Sequence, residues 1–493
     1  MRFGIDFGTT RTVIAAVDRG NYPVLGCEDA HGDYHDYIPS VVAIDEANGG
    51  KLVAGWEAAA LEGADFARSF KRLLGAEDVT ASTPVRIGLE SRPLSEVLLA
   101  IAQEAARTIR QYQNDLGETG GIMAMLGVPA NASSAQRLLT IDAFTRAGIG
   151  VLGLVNEPSA AAFEYTHRHG RTLNSRRQSI LVYDLGGGTF DVSLVTIEAA
   201  EHRVTNSRGV SRLGGDDFDA VLLDLALEKI GSADVALGDR VQRRLLDEAR
   251  SAKERLRPQT RRMILELGGQ DAIVSTEEFY GRAEPLVEQT MEVLAEVIGH
   301  EESLTDTDIA GIYLVGGGSQ LPLVPRVVRE RYSRRVHRSP MPGASTAVGL
   351  AIAADPGTDM NLHDKRARGI GVFRERDSGN AVAFDPLVTV DSEPDDDGVI
   401  RIQRRYRAAH NVGIFRFVEF TAIDGEGHPG DVSLLSEIAV PFERGLPAGR
   451  DLSRVPVERR DHGPEVIEKI RVSSDGIASI TIEVPEIGLT VAR

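Results

Sequence analysis

Apolar residues in the first three quarters of the chain form short runs that alternate with segments of helical period. Segments 124–144 and 311–332 each show an apolar strand, a turn of small residues and an amphipathic helix, while 95–112 and 240–257 have further helical patterns. Strands that alternate with such helices are typical of layered α/β domains. The pattern therefore predicts an α/β domain over residues 1–355.

A strand–turn–strand pattern occurs twice in this region. The segments FGIDFGTTRTVIAAV at 3–17 and LVYDLGGGTFDVSLV at 181–195 each contain an apolar strand ending at an aspartate, a Gly/Thr turn and a second apolar strand. The two aspartates, Asp6 and Asp184, lie 178 positions apart. The repeat predicts two similar halves within about the first 356 residues.

The pattern changes after an apolar helix predicted at 346–354. Residues 356–368 are polar and contain Pro and Gly, so they are predicted to form an undocked linker that lacks an apolar strand able to dock in a groove on the first domain. From 369 to 493 short alternating runs replace the helical period, with a turn at 408–411 and a strong hairpin signal at Asp475-Gly476. These runs predict an all-β sandwich domain.

Composition and charge narrow the functional classes. The 493 residues are 42% hydrophobic and 26% charged, which is typical of globular proteins with several domains. The net charge of −18 disfavours nucleic acid and anionic membranes as partners. The basic run RIQRRYR at 401–407 is accordingly interpreted as a solvated strand face.

Cysteine content and the chain start indicate the compartment. Cys27 is the single cysteine, so neither an internal disulfide nor a cysteine metal cluster can form. The first residues carry Asp6 and Arg11 where a secretory signal would be apolar, and there is no apolar run of 18 residues. We therefore expect a cytoplasmic protein.

The two Gly/Thr turns predict a phosphate site. Glycine lets backbone N–H groups approach an anion closely, and threonine hydroxyls add donors. Carboxylates beside a phosphate need a hard cation between them, and Mg²⁺ prefers oxygen ligands. Either turn alone could be a simple hairpin, but the repeated arrangement favours a cleft for Mg²⁺ and a polyphosphate, built from Asp6, Thr9, Thr10, Asp184, Thr189 and Asp191.

Three further features could belong to the same site, but each also has a purely structural interpretation. The turn at 316–318 precedes a helix, where small residues also serve close packing. Glu157 precedes Pro158 at a predicted helix start, where a carboxylate stabilises the helix. Lys71 fits an ordinary exposed cation equally well.

Six motifs in order resemble the 70-kDa heat-shock chaperone family of the DnaK type, within the actin and sugar-kinase ATPase superfamily. They are GIDFGTT, VPANASSAQR, NEPSAAA, DLGGGTFD, LGGDDFD and LVGGGSQLP. The resemblance implies an actin-like ATPase domain with four subdomains over residues 1–355, which binds ATP or ADP with Mg²⁺ in a central cleft. It also implies an ATP hydrolase that converts ATP and water to ADP and phosphate.

The resemblance assigns roles to individual residues. Lys71 positions the attacking water beside Glu157, Asp6 and Asp184 hold Mg²⁺ through water, and Asp191 orients water and a potassium ion. Thr189 belongs to the catalytic set. The nucleotide-binding residues that it implies are Gly8, Thr9, Thr10, Gly186, Gly187, Gly188, Gly215, Lys253, Gly316 and Gly317. Pro129 and Arg137 match the residues that relay the nucleotide state to the neighbouring domain.

The adenine side departs from the family pattern. Arg250 stands where the family usually has Glu, Arg257 near a usual Ser, Gln320 at a usual Arg, and Gly343 at a usual Asp. Loss of the stacking arginine predicts weaker binding and a looser choice of base.

The β-domain resembles the family's peptide-binding sandwich, and the chain stops at Arg493 without a helical lid. We expect a monomeric chaperone-like ATPase whose partners are an extended peptide or a specific protein, with a co-chaperone or exchange factor. One alternative is a scaffold or filament-forming ATPase of the actin superfamily without client refolding. The other is a kinase for a small substrate.

Overall fold

A computed structural model describes residues 1–76, 78–170, 173–174, 176–198, 201–210, 212–231, 239–299, 308–358, 361–362, 368–376, 381–390, 392–423, 425, 427–430, 432–443, 452 and 455–492. The chain divides into two compact units. The first unit contains residues 1–72, 82–130 and 143–364, and the second contains residues 73–81, 131–142 and 365–493.

Strands and helices alternate in the first part of the chain, as the apolar pattern predicts. In chain order the elements are β1 (Arg2–Phe7), β2 (Arg11–Ala16), β3 (Cys27–Glu28), β4 (Tyr34–His35), β5 (Ile38–Pro39), β6 (Val41–Asp45), β7 (Lys51–Ala54), α1 (Gly55–Ala59), β8 (Phe66–Arg68), β9 (Pro84–Ile87), β10 (Glu90–Pro93), α2 (Leu94–Asp115), β11 (Met123–Val128), α3 (Ser134–Arg146), β12 (Gly150–Asn156) and α4 (Glu157–His169). Short 3-10 helices cover Glu46–Asn48 and Phe70–Gly75. The helix predicted at 95–112 is confirmed by α2.

The same alternation continues to the end of the first unit. The elements are β13 (Ser179–Leu185), β14 (Phe190–Glu198), β15 (Glu201–Val210), α5 (Gly215–Lys229), α6 (Asp239–Glu254), β16 (Arg262–Leu267), β17 (Gln270–Ser275), α7 (Thr276–Val297), β18 (Ile309–Val315), α8 (Leu323–Tyr332), β19 (Val336–Arg338), α9 (Ser345–Ala354) and β20 (Asn361–Leu362). Further 3-10 helices cover Gly317–Gln320 and Ser333–Arg335. The helices predicted at 240–257 and 346–354 are confirmed by α6 and α9.

Two sheets in the first unit have the same arrangement around their central strands. In one, the strand order is β12-β11-β1-β2-β5, with β1 parallel to β11 and antiparallel to β2. In the other, the order is β19-β18-β13-β14-β15-β20, with β13 parallel to β18 and antiparallel to β14. The strand–turn–strand pattern repeated in the sequence therefore corresponds to one antiparallel strand pair in each sheet.

Both sheets are buried by helices, which explains why their central strands are apolar along most of their length. In β13 every residue except Asp184 is buried, and β18 is buried throughout. Helix α9, built almost entirely of small and aliphatic residues, is buried along its length and packs in a hydrophobic cluster with Val13, Val155 and Phe163.

The second unit is built mainly of strands. They are β21 (Gly369–Arg376), β22 (Ala381–Val388), β23 (Ile400–Arg407), β24 (Val412–Phe420), β25 (Ala422–Ile423), β26 (Pro429–Gly430), β27 (Ser433–Pro441), β28 (Glu465–Val472), β29 (Ala478–Val484) and β30 (Leu489–Ala492), with a 3-10 helix at Pro485–Ile487. One sheet has the order β22-β21-β24-β27 and another β23-β28-β29-β30. Residues of both sheets, including Phe417 and Ile470, form one hydrophobic cluster.

Of the two turns predicted in the second unit, strand pairing shows that one is a hairpin and the other is not. The hairpin predicted at Asp475-Gly476 is confirmed, since β28 and β29 pair and Gly476 donates to the Ser473 carbonyl at 2.9 Å with φ of 77°. The segment 408–411 instead connects strands of different sheets, because β23 pairs with β28 whereas β24 pairs with β21 and β27.

The predicted linker differs from expectation at one point. Most of its second part, 359–360 and 363–367, lies outside the described residues. Residues Asn361–Leu362 form β20, which pairs in parallel with Glu201–His202 of β15. The expectation that this segment has no docking strand is therefore wrong for these two residues, because backbone pairing at a sheet edge does not require an apolar sequence.

None of the helices in the described part of the chain combines the length with the apolar composition that a membrane-spanning segment needs.

A buried charge network joins the two sheets of the second unit. Arg374 of β21 donates to Asp385 of β22 at 2.6 Å and to both oxygens of Glu468 in β28 at 3.0 Å. Tyr406 also donates to Glu468 at 3.0 Å, and the Glu468 side chain is 0% exposed. Its charge therefore depends on these partners for stabilisation.

Arg374→Ala should destabilise the protein strongly, because it leaves the Glu468 carboxylate buried without its cation. Removal of one partner from a buried pair costs about 3–5 kcal/mol. Denaturant unfolding of the full chain measures the change. As a control, Arg401→Ala removes an arginine whose pairs with Asp395 and Asp397 are about half exposed, and should cost far less stability because exposed ion pairs are screened by solvent. Equal losses for both variants would contradict the structural role of Arg374.

Candidate active site

The two Gly/Thr turns have the same hydrogen bond. In the first, Gly8 N donates to the Arg11 carbonyl at 2.9 Å, and in the second Gly186 N donates to the Thr189 carbonyl at 2.9 Å. Each turn connects antiparallel strands, β1 with β2 and β13 with β14. The described geometry thus has two turns that are closed in the same way, the arrangement in which glycine-rich backbone can donate to an anion.

Aspartates lie beside these turns. Asp6 is next to last in β1, and Asp184 is next to last in β13. The strand register places Asp191 of β14 directly opposite Asp184. Like charges directly opposite in an antiparallel pair are destabilising, so this arrangement calls for a nearby cation.

Lys71 is the cation that the structure brings to these carboxylates. It lies in the 3-10 helix Phe70–Gly75, and its Nζ donates to Glu157 Oε1 at 2.9 Å. The Lys71 side chain is 9% exposed, and Nζ lies 5.3 Å from the centroid of the Phe7 ring. Glu157 is the first residue of α4, as the sequence predicts, but it pairs with Lys71 rather than facing solvent. The exposed-cation alternative for Lys71 is wrong.

The pKa shifts reflect the excess of negative charge. Desolvation raises the pKa of Asp6 to about 8, where Glu157 and Asp184 add to the shift and Lys71 opposes it. Desolvation, with Glu157 and Asp191, also raises the pKa of Asp184 to about 8. Desolvation and Glu157 raise the pKa of Asp191 to about 7.

The same charges stabilise protonated Lys71. Desolvation, the largest single influence, lowers its pKa, but the charges of Glu157 and Asp6 together with the Glu157 hydrogen bond outweigh it and raise the pKa. A single ammonium group is therefore shared by several carboxylates.

The glycine turns lie against one another at close range. A Cβ at Gly187 would overlap the Thr10 side chain, so the second turn approaches the first at this point. Gly215 N donates to the Gly186 carbonyl at 3.0 Å, and Asp216 N donates to the Gly187 carbonyl at 2.7 Å. A Cβ at Gly318 would lie 2.9 Å from the Gly186 oxygen. The structure thus brings together three turns and the start of α5, which are separate in the sequence.

The third turn is a 3-10 helix rather than a direct strand-to-helix junction. Gly316 follows β18 with φ of 80°, and its N–H donates to the Pro342 carbonyl at 2.8 Å. Gly317 begins the 3-10 helix, and α8 starts only at Leu323. The turn thus packs closely against the second turn, as its structural alternative requires, and its role in a nucleotide site stays a prediction.

Lys253 and Gly215 meet at the start of α5. Lys253 Nζ donates to the Gly215 carbonyl at 2.5 Å and forms an ion pair with Asp219 at 2.6 Å. Arg250 donates to Asp216 at 2.8 Å and to Asp219 at 3.2 Å. The charge of Arg250, at a position where Glu is usual in the family that the sequence resembles, is thus balanced by two aspartates of α5.

Sequence reasoning missed Arg72 and these aspartates. Arg72 Nη2 donates to the Gly188 carbonyl at 2.8 Å, which attaches the second turn to the 3-10 helix carrying Lys71. Asp216 and Asp219 lie in the motif LGGDDFD, which was the signal in the sequence that could have identified them. No signal indicated Arg72 apart from its position next to Lys71.

The two predicted relay residues belong to different units. Pro129 follows β11 in the first unit, whereas Arg137 lies in the part of α3 that belongs to the second unit. Within the second unit Arg137 donates to the Asp475 carbonyl at 3.2 Å. Asp475 is in the hairpin turn between β28 and β29, which was predicted only as a turn.

The side chains fit a divalent cation and a polyphosphate. Burial, together with the negative charge concentrated near them, raises the pKa values of Asp6, Asp184 and Asp191, and a hard cation would relieve that excess of charge. Within the described residues, no group of three His, Cys, Asp or Glu is placed to hold a metal ion directly.

Comparison with known proteins identifies the family. Residues 2–367 match the family model described as Hsp70 protein. The chain belongs to the Hsp70 protein family. It is 34% identical over 387 residues to a chaperone protein HscA homolog of Bordetella petrii, and 33% identical over 392 residues to the chaperone protein HscA of Serratia proteamaculans. Each match covers 73% of this chain and 60% of the relative.

Another relative agrees with this result. The chain is 33% identical over 371 residues to a chaperone protein HscA homolog of Burkholderia pseudomallei, which covers 71% of this chain and 58% of that protein. The chain thus spans about 60% of the length of the curated Hsp70 relatives that it matches. Membership in the Hsp70 family confirms the resemblance read from the six motifs and implies the actin-like ATPase fold for the first unit.

Gly214→Ala should disrupt the site without unfolding the Hsp70 chain. A Cβ at Gly214 would lie 2.7 Å from Gly188 N and 2.8 Å from the Gly187 carbonyl carbon, so the backbone of the second turn must move. Since a misplacement of about 1 Å can cost about 100-fold in rate, we expect the ATP turnover that family membership implies to fall about that much. Gly281→Ala, where a Cβ meets nothing within 4 Å, is the control and should leave turnover unchanged.

Circular dichroism and thermal unfolding of both variants test whether the fold is retained. A Gly214→Ala protein that folds and turns over ATP at the wild-type rate would show that the second turn takes no part in the reaction.

Proposed function

We propose that this protein is a chaperone-type ATPase that hydrolyses ATP to ADP and phosphate with Mg²⁺, with water as the acceptor. The observation that supports this function best is the Lys71–Glu157 pair at 2.9 Å beside Asp6, Asp184 and Asp191. Phosphoryl transfer to water depends mainly on positioning and charge neutralisation. A buried ammonium next to several carboxylates and glycine turns offers both.

The residues have separate roles in this proposal. The ammonium of Lys71, held by Glu157 and the face of the Phe7 ring, positions the attacking water. Asp191, with its pKa raised to about 7, orients water and accepts a proton from it. The turns at 8–10 and 186–189 hold the phosphates with backbone N–H groups and the hydroxyls of Thr9, Thr10 and Thr189.

Asp6 and Asp184 are the proposed Mg²⁺ residues, acting through bound water. Mg²⁺ keeps several of its waters in protein sites and would neutralise the phosphate charge when bound. A potassium ion is proposed beside Asp191. Gly215, Lys253, Gly316 and Gly317 complete the nucleotide site.

We also propose that the first unit is a duplicated ATPase domain of four subdomains and that the two sheets from residue 369 onward form a β-sandwich. The matching pairings of β1 and β13 support duplication. The cluster shared by both sheets supports a sandwich. Residues 356–368 are proposed as the linker.

The proposed partner of this β-domain is an extended peptide or a specific protein. Strand β22 has β21 as its neighbour in the sheet order, and Phe373 of β21 and Val382 of β22 are 42% and 72% exposed. An edge strand with apolar neighbours can pair with an extended chain. Pro129 and Arg137 are proposed to relay the nucleotide state, with a co-chaperone or exchange factor as a further partner.

Nucleic acid is not a proposed partner. Two arginines of the basic run at 401–407 have acidic partners, since Arg401 pairs with Asp395 and Asp397 and Arg407 pairs with Glu486. We expect a monomer in the cytoplasm.

Lys71→Ala should lower ATP turnover far more than it lowers ADP affinity. The lysine acts on water rather than on the bound nucleotide. Its removal should therefore lower mainly the rate of hydrolysis, by about 100-fold or more. Single-turnover release of free phosphate measures the rate, and calorimetry measures ADP binding.

The matched control for this test is Lys229→Ala, which removes an exposed lysine paired with Glu278 at 2.6 Å and should leave turnover unchanged. Undiminished turnover in a folded Lys71→Ala protein would rule out the assigned role. Recovery of the label in a phosphorylated small molecule rather than free phosphate would favour the kinase alternative.

Addition of an extended apolar peptide should change single-turnover hydrolysis by less than about tenfold, which corresponds to about 1.4 kcal/mol. A ligand shifts an equilibrium only by its differential affinity for the two states, and a docked strand of two residues, Asn361–Leu362, supplies few backbone hydrogen bonds. A larger stimulation that disappears when 369–493 are deleted would contradict weak coupling.

A further inference from the structure

A cavity in the first unit lies next to the proposed phosphate turns. It has a volume of about 250 Å³ and is lined by Arg11, Val13, Asp36, Tyr37, Gln320 and residues 340–344. Arg11 directly follows Thr10 of the first turn, and Gln320 is the last residue of the 3-10 helix Gly317–Gln320. A nucleotide whose phosphates lie on these turns would therefore have its nucleoside portion near this cavity.

The Arg11 side chain is held firmly at the wall of the cavity. Its guanidinium carbon lies 4.1 Å from the centroid of the Tyr37 ring, and Nη2 donates to Glu254 Oε1 of α6 at 2.6 Å. Tyr37 is itself supported, because its ring packs 5.3 Å from that of Trp56, whose Nε1 donates to the Tyr37 carbonyl at 3.0 Å. The Trp56 ring stacks on His35 at 3.9 Å. A guanidinium fixed in this way needs little further ordering on binding.

The charge of the lining points to Arg11 as well. Arg11 is the one cationic residue among the described residues that line the cavity. Gln320, which also lines it, is a neutral amide. A planar guanidinium stacks on the face of an aromatic ring, and its five donors also allow hydrogen bonds at its edge. Tyr37 covers one face of the Arg11 guanidinium, so a flat ligand in the cavity would have to stack on the other face.

We propose that Arg11, held by Tyr37 and Glu254, is the surface on which the purine base of the bound nucleotide stacks. This role replaces that of the arginine absent at position 320. The proposal rests on the proposed function, since it concerns the base of the nucleotide whose phosphates occupy the glycine turns. A purine, with its larger ring system, gains more from this contact than a pyrimidine.

Calorimetry of the full chain with Mg²⁺ and three ligands tests the proposal: ATP, CTP and inorganic tripolyphosphate, which has the phosphates without a base. Arg11→Ala should weaken ATP binding about tenfold, or about 1.4 kcal/mol, and tripolyphosphate binding by less than about twofold. CTP binding should fall less than ATP binding. Arg11→Lys keeps the charge and the reach to Glu254 but loses the planar group, so it should resemble Arg11→Ala.

Arg68→Ala is a closely matched control. Arg68 pairs with Asp247, two turns before Glu254 on α6, at 3.1 Å, and lies 5.2 Å from the Phe66 ring centroid. The exposures of the two ion pairs are the same, 29% for each arginine and 44% for each carboxylate. Arg68 is not among the residues that line the cavity, so its removal should leave the affinity for ATP unchanged.

Three results would overturn the base site. An equal loss of ATP affinity in Arg68→Ala would assign the effect to ion pairing with α6. An equal loss of tripolyphosphate affinity in Arg11→Ala would assign Arg11 to the phosphates, and wild-type affinity in Arg11→Lys would show that charge suffices. A wild-type chain that binds neither ATP nor tripolyphosphate would contradict the proposed function itself.

Discussion

The first unit must hold a concentration of carboxylates around one ammonium group. Asp6, Glu157, Asp184 and Asp191 come from four separate elements, and Lys71 is the cation that acts on them. Such a cluster opposes folding unless other interactions hold it in place. The buried strands β1 and β13 and the apolar helix α9 supply that support, which explains why so charged a site lies within so apolar a framework.

The glycine segments satisfy the steric side of the same constraint. Three turns and the start of α5 approach so closely that side chains cannot be accommodated at Gly187 or Gly214. Close approach concentrates backbone N–H groups at the place where the carboxylates and Lys71 meet. Positive backbone dipoles and negative side chains are thus arranged around one volume, which suits a ligand that combines phosphate with a divalent cation.

On the proposed base side of the site, position 320 has no cation and Arg11 supplies one from a different position. Gln320 and Gly343 stand where the resemblance implies charged residues, while Arg11 is the cationic residue among those described that line the cavity. The supporting rings of Tyr37 and Trp56 come from separate elements of the first half of the unit. Arg250, another departure, is neutralised by Asp216 and Asp219 and so leaves the local charge nearly balanced.

The sequence by itself determined the alternation of strands and helices, the duplicated turns, the Asp475-Gly476 hairpin and the family. These features are local, because a turn type or a helical period is set by neighbouring residues. It also identified Lys71 and Glu157, but only through the resemblance, since nothing in either segment shows that they meet.

Only the tertiary structure decided the contacts that depend on strand register and on packing between distant residues. The pairing of β13 with β14 sets Asp191 opposite Asp184, and strand order sends 408–411 from one sheet to the other. Backbone pairing made β20 out of a polar segment, and packing brought Arg72 to Gly188 and Arg11 to Tyr37. Such contacts join residues far apart in the chain, and their energies come from burial and shared charge, which no local pattern of residues encodes.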